Sequence, residues 1–198
     1  TESDRDFALS YQTDTMTWET TDKDSISPGD RSIYFTYTTN TTEPGLVIND
    51  GLYDLVELAV DPREDRHGTV SLTNNWKTVE LTGNTWKAID FPYTVTANTV
   101  LEFDFSSDNE GEIIAIGFTD NLASRPSNSR RVTLFGTQSM ENDIENYRYS
   151  NLGTEVPRIV PIGSHYTGTF SHLFLINDDD ADSNSNAKFS NIRIYENT

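Results

Sequence analysis

Four oxygen-bearing side chains stand at alternate positions near the end of the chain: Asp178, Asp180, Asp182 and Asn184. Calcium is bound by carboxylate, amide and backbone oxygens, and alternate spacing on a tight loop lets successive side chains converge on one ion. That spacing makes a structural calcium the expected cofactor. A self-sufficient calcium loop also carries a glycine after its third ligand and a closing glutamate. Here Ser183 stands where the glycine would be, and the loop lacks the glutamate. An ion would therefore need oxygens from other segments. The alternative is a solvated acidic loop joining two strands.

Aromatic and arginine side chains outside the core pattern form the second set. Trp76, Trp86, Tyr147, Tyr149 and Tyr166 fall in or beside loops, with Arg131 and Arg148 nearby in sequence. A sugar ring has an apolar C–H face that stacks on an aromatic ring, while polar side chains take its hydroxyls, so a binding site combines apolar area with a few placed polar groups. Arg130, Arg131 and Arg148 could meet the carboxylate or sulfate of an acidic glycan, because guanidinium forks match those groups. Each ring has a core-packing alternative. Glu102 and Asp104 add a further possibility, since both face outward from a strand whose other face is apolar.

Signatures of catalysis are sparse. The three histidines, His67, His165 and His172, make no zinc-protease spacing, and no nucleophile elbow is present. His165 and Tyr166 are adjacent and could act as an acid/base pair in a lyase; the plainer reading is a loop histidine beside a partly buried tyrosine. Carboxylate pairs are too numerous to nominate two as acid and base.

The chain's composition narrows its partners. Its 198 residues carry 32 acidic and 14 basic side chains, a formal charge of −18. Such a surface repels nucleic acid and anionic membranes, which both need Lys and Arg against phosphate. It suits a saline or cation-rich medium, where screening relieves self-repulsion. With no cysteine, disulfides, thiolate zinc sites and thiol catalysis are excluded. No apolar run is long enough to span a membrane. The chain opens Thr-Glu-Ser-Asp-Arg-Asp, with neither a basic start nor an apolar run, and the expectation is a fragment of a longer protein.

The elements that must position these residues read as strands. Leu101-Glu102-Phe103-Asp104-Phe105 alternates cleanly, with Leu101, Phe103 and Phe105 on one face. Val70 and Leu72, then Val79 and Leu81, alternate with Thr, Ser and Glu, and Gly83-Asn84 turns the chain before Trp86. Residues 112–118 and 170–176 are apolar on both faces, the pattern of central strands covered on both sides. Val132–Gly136 reads as a short strand. Val156–Ile162 is broken by prolines and belongs near an edge. In the last strand Ile192 and Ile194 face inward, while Asn191, Arg193 and Tyr195 face the other way. Residues 137–156 have no usable period, and a loop of that length in a compact domain is often functional. Residues 52–60 fit a strand or a short helical turn. Phe7–Tyr11 and Ser32–Thr38 read as further strands. Closely spaced strands with turn residues between them predict an all-β, antiparallel β-sandwich of jelly-roll type.

The order of blocks from Trp86-Lys87-Ala88-Ile89 through Thr99–Phe105, Ile116-Gly117-Phe118, Leu134–Gln138, Val160–Gly163 and Leu173–Asp180 to Phe189–Ile192 resembles the non-catalytic, carbohydrate-binding-type β-sandwich modules attached to secreted polysaccharide-degrading enzymes of marine bacteria. The resemblance covers residues 68–198; residues 1–63 lie outside it, as possible appended edge strands of one domain. It implies a jelly-roll-like pair of sheets, an extracellular location, a glycan-binding role without turnover, often a structural calcium, and a linked catalytic domain as partner. The expected ligand is an algal or plant polysaccharide. A small β-jelly-roll lyase or hydrolase and a calcium-dependent adhesin domain are the alternatives.

Overall fold

The computed structural model describes residues 45–58 and 68–197. The strands expected at Phe7–Tyr11 and Ser32–Thr38 lie outside these residues. Its regular structure is almost wholly strand, and Leu52–Tyr53 and Leu55–Glu57 are strand rather than helix. A short hairpin, β1 (Leu46–Ile48) with β2 (Gly51–Tyr53), precedes β3 (Leu55–Glu57), β4 (Thr69–Thr73), β5 (Thr78–Thr82), β6 (Thr85–Val95), β7 (Thr99–Ser106), β8 (Ile113–Thr119), β9 (Arg131–Phe135), β10 (Val156–Val160), β11 (Gly168–Asp178) and β12 (Asn186–Glu196). Two 3-10 turns, Asn128–Arg130 and Ile162–Ser164, interrupt the series. No helix among the described residues is long and apolar enough to cross a membrane.

Two antiparallel five-stranded sheets face each other, in the orders β10-β7-β12-β5-β4 and β3-β6-β11-β8-β9. This is the antiparallel sandwich expected from the strand pattern. Leu101, Phe103 and Phe105 of β7 point into the space between the sheets with Phe189, Ile192 and Ile194 of β12. They meet Ile114, Ile116 and Phe118 of β8 and Leu173 and Leu175 of β11. The rings interlock: Phe189 lies 5.2 Å from Phe105 and 5.9 Å from Phe103 between centroids. Packing of this kind, rather than any single pair, supplies most of the stabilisation.

The two-faced apolar strands have a second consequence. Trp86, Ala88, Ile113, Ala115, Phe174 and Ile176 project from the other face of β6, β8 and β11 into a separate buried cluster that includes Leu58, with Val56 of the neighbouring strand β3 and Leu122 packed against it. This sheet therefore buries apolar side chains on both faces. Among the described residues the other sheet buries them on its inner face, while Glu102, Asp104, Arg193 and Tyr195 occupy its outer side.

The long segment after β9 is a built structure. Ile144 pairs in parallel with Val132, its amide donating to the Arg131 carbonyl at 2.9 Å while its own carbonyl accepts from Thr133 at 3.1 Å. The segment thus occupies the open edge of β9, an edge that would otherwise leave backbone groups unpaired. Asp143 anchors it: its carboxylate accepts from Arg131 Nε at 3.0 Å, from Thr133 Oγ1 at 3.0 Å and from the Met140 amide at 3.2 Å. β10, with Pro157, lies at the sheet edge, as proline requires.

Candidate functional site

The outer face of the β10-β7-β12-β5-β4 sheet carries an array of exposed ligand-competent groups. In register across three adjacent strands, Ile159 stands opposite Glu102 and Glu102 opposite Arg193. Neighbouring strands are ~4.8 Å apart, so these side chains form a row rather than a cluster of chance neighbours. Ile159 is 60% exposed and Tyr195 38%. Arg193 pairs with Glu102 through Nη2 and Oε1, and Tyr195 donates its hydroxyl to Glu102 Oε2 at 3.0 Å. The Glu102 carboxylate accepting that proton holds the Tyr195 phenol above its ordinary range. One strand step along, Asn191 donates to Asp104 Oδ2 at 2.8 Å and Ser190 to Glu155 Oε2 at 3.1 Å.

A bulge shapes this face. The pairing of β12 with β7 shifts register between Ser190 and Arg193, and Asn191 takes a left-handed conformation at φ 53°, which asparagine tolerates better than most residues. Bulges re-aim side chains and end pairing. Pairing of β5 with β12 stops at Thr78 and Ser190, and beyond it Asn191 donates its amide to the Lys77 carbonyl. The vacated edge borders a groove of about 90 Å³ lined by Val47, Asn49, Asp50, Lys77, Asn191 and Arg193. Lys77 Nζ lies 3.6 Å from Asp50 Oδ1. The polar row and the groove share Asn191 and Arg193, so they form one continuous surface.

The side chains singled out from sequence scatter over the fold. Trp76 is half-buried in the β4–β5 turn next to Lys77, at φ 61° after two more left-handed residues, Asn74 and Asn75. A bulky residue there is a genuine conformational outlier, and the Trp76 carbonyl accepts the Val47 amide at 2.8 Å. Its sequence neighbour Lys77 lines the groove. Trp86 does not face solvent: it is 1% exposed in the covered cluster, and its indole donates to Asn84 Oδ1 at 3.2 Å and Asp178 Oδ1 at 3.3 Å. Tyr149 is 3% exposed, edge-on to Phe105 and Phe135, and its hydroxyl donates to the Thr154 carbonyl at 3.0 Å while accepting from the Thr154 amide at 3.1 Å. Arg131 is buried against Asp143 at 2.9 Å. These three are structural residues, because burial removes the face or fork a ligand would use. Tyr166 packs edge-on to Phe170, and its oxygen accepts the Phe118 amide at 3.1 Å; burial pushes its phenol well above its ordinary value. Tyr147 is half-buried, and its partner is His165, Oη to Nε2 at 3.4 Å. His165 thus meets Tyr147 rather than its neighbour Tyr166, so the adjacent acid/base pair does not form. Arg148 is tied to Glu145 at 3.0 Å and to the Gly136 carbonyl. Arg130 lies 3.3 Å from Asp120.

The acidic loop is held by its own bonds. Asp178 accepts from Trp86, Asp179 accepts the Ser185 amide at 2.8 Å, and Asp182 accepts from Asn184 Nδ2 at 2.9 Å. Burial raises the Asp179 carboxyl, but the bonds from Ser185 and Asp182 outweigh it and hold it below its ordinary value. Asp180 turns instead toward Glu112, which accepts its amide at 3.1 Å. Asp178, Asp180, Asp182 and Asn184 do not converge, and among the described residues no group of three or more His, Asp or Glu side chains is placed to hold a metal ion. The four residues therefore do not fit a calcium ion in this arrangement, which would require them to exchange these bonds for the cation.

Sequence reading passed over Asn191, Arg193 and Tyr195 as site residues, although their outward alternation was visible. The missing information was that β12 lies beside β7, which brings Arg193 onto Glu102 from 91 positions away.

No family model matches the chain, and no curated protein is significantly similar to it. Among solved structures, it is similar to a family 29 carbohydrate binding module at TM-score 0.39 and 10% identity, covering 72% of this chain and 88% of that one. It is also similar to the family 30 carbohydrate-binding module of the cellulosomal cellulase Cel9D-Cel44B of Clostridium thermocellum, at TM-score 0.36 and 18% identity, covering 65% of this chain and 82% of that one. A third, solved with a xylogluco-oligosaccharide, has TM-score 0.35 and 12% identity, covering 80% of this chain and 40% of that one. These likenesses are loose.

Proposed function

We propose that the outer face of the β10-β7-β12-β5-β4 sheet binds a polysaccharide without turning it over. The row Ile159–Glu102–Arg193, with Tyr195 beside it, carries this reading. It offers exposed apolar and aromatic surface next to fixed donors and acceptors on rigid strands, the combination a sugar's C–H face and hydroxyls require. Trp76, next in sequence to Lys77 of the groove, belongs to the proposed contact set. Carboxylates accept from sugar hydroxyls, and the Arg193 fork and the Asn191 amide donate to them.

Charge selects the ligand class. Glu80, Glu102, Asp104 and Glu155 outnumber Lys188 and Arg193 on and beside this face. Arg130, Arg131 and Arg148, the forks that could have met an acidic glycan, are each paired with a carboxylate. A uronate or sulfated chain would approach net negative potential, so an uncharged algal or plant glycan is the expected ligand. In a longer, secreted polypeptide such a module holds a linked catalytic domain near its substrate, an effective-concentration gain.

Affinity electrophoresis tests this directly. The protein should be retarded in gels containing hydroxyethylcellulose or another neutral glycan and not in gels containing alginate or polygalacturonate, with no new reducing ends after incubation. Retardation by the acidic polymers alone, or release of oligosaccharides by repurified protein, would contradict it.

A further inference from the structure

We infer that Asn49 is a positioning residue for the proposed sheet-face site: its carboxamide takes the place of a missing strand and fixes the segment of β12 that carries Arg193 and Tyr195. This rests on the sheet-face reading for its functional half, but its structural half stands alone.

In an antiparallel sheet, one residue turns both its N–H and its C=O to the same side, and its neighbours turn theirs to the other. Arg193, Ile194 and Tyr195 all pair with β7 positions, yet the β5 pairing ends at Ser190, and past the Asn191 amide, which donates to the Lys77 carbonyl, β5 does not reach β12. The side of β12 away from β7 would leave the Ile194 amide and carbonyl without strand partners. Asn49 fills that place. Its Nδ2 donates to the Ile194 carbonyl at 2.7 Å, and its Oδ1 accepts the Ile194 amide at 2.9 Å. One planar carboxamide thus reproduces both hydrogen bonds of an absent strand. Ile194 is 2% exposed, so water is a poor substitute for these bonds, and a buried backbone group without a partner is costly.

The turn that delivers Asn49 is built for it. Asn49 and Asp50 adopt φ 49° and 62° between β1 and β2, the two-residue hairpin conformation that favours Asn, Asp and Gly. Leu46 and Ile48 are buried on the main core, which anchors the hairpin from below. Asn49 therefore spans 145 positions of sequence to hold the backbone between the two side chains on which the proposed site depends.

Aspartate at this position makes the test sharp. Ionised, it accepts the Ile194 amide but turns a second oxygen toward the Ile194 carbonyl; protonated, it carries one donor and one acceptor, as asparagine does. Glycine keeps the left-handed backbone and removes the amide. Amide hydrogen exchange at Ile194 in the full chain, without ligand, should speed up about tenfold in Asn49→Gly and in Asn49→Asp at pH 7, the net worth of a lost hydrogen-bond pair. In Asn49→Asp relative to wild type, that loss should recover as the pH falls through the carboxyl range. Retardation by hydroxyethylcellulose should weaken by a similar factor in both variants at pH 7 and recover with pH in Asn49→Asp only. Unchanged Ile194 exchange in both variants overturns the inference. If exchange responds as stated but wild type is not retarded, the clamp stands and the sheet-face reading fails. If exchange responds and retardation is unaffected in the variants, Asn49 is structural only and its positioning role is overturned.

Discussion

The two outer faces of the sandwich show how one architecture treats similar strands in opposite ways. On the β3-β6-β11-β8-β9 sheet the outer face is apolar and buried: Trp86, Phe174 and Ile176 share a cluster with Leu58, and Val56 and Leu122 pack against it. On the β10-β7-β12-β5-β4 sheet the outer face is polar and open, and its exposed Ile159 and Tyr195 stand among carboxylates and Arg193. Residue type alone therefore misleads. A tryptophan on the first face is core, whereas a tyrosine on the second is available to a ligand. Context decides, and context here means whether the sheet face is buried.

Substitutions on the covered face should break that contrast most strongly. Trp86→Ala empties a fully buried site and is expected to destabilise the fold by about 3–5 kcal/mol, read as a fall in the urea midpoint. A small loss would mean that this face is not buried. Tyr149→Ala, in the main core, should cost a comparable amount, because it removes a buried ring and its hydrogen bonds. Asp143→Ala leaves Arg131 buried without its counter-charge and should also cost about 3–5 kcal/mol; loss of the edge bridge at Ile144 would appear as faster exchange at Thr133.

The open face should behave in the opposite way. Arg193→Ala and Tyr195→Ala each change stability by about 0.5 kcal/mol or less, as exposed side chains do, while weakening glycan binding about tenfold or more. Equal losses of stability and binding would place these residues in the core and remove the contrast.

Much of this division was legible before any coordinates. The alternation of Leu101 to Phe105 puts rings inside and carboxylates outside, and the continuous apolar runs at 113–118 and 173–176 announce strands buried on both faces. What local pattern could not carry was pairing between distant strands. Nothing near Glu102 says that Arg193 will stand opposite it. Nothing near Trp86 says that Leu58 and Leu122 will join its buried cluster, which is why an indole beside a turn reads as a sugar platform. Tyr149 misled for a different reason: it sits in a polar segment without period, and that segment owes its order to Asp143 and Arg131 rather than to any repeat.

Smaller effects fall at the acidic end of the molecule. The Glu112 carboxyl is raised above its ordinary 4.5, first by its side-chain hydrogen bond with Asp180 and then by burial. A group raised on folding contributes stability that is present below its unfolded value and is lost as pH rises through its folded value. Wild type should therefore lose a little Tm just above pH 4.5, and Glu112→Gln should flatten that step. An unchanged step would assign it to another carboxylate. EDTA should leave Tm unchanged, since the loop closes on its own donors; a fall would show that Asp178, Asp180, Asp182 and Asn184 regroup around a cation.

The central claim is that the open face, and not the covered one, binds an uncharged glycan. The most direct measurement is affinity electrophoresis of wild type and Arg193→Ala side by side in hydroxyethylcellulose, with a reducing-end assay on the same samples. Retarded wild type, unretarded Arg193→Ala of equal Tm, and no product are the expected results. Equal retardation of both proteins would contradict the claim, as would the appearance of product.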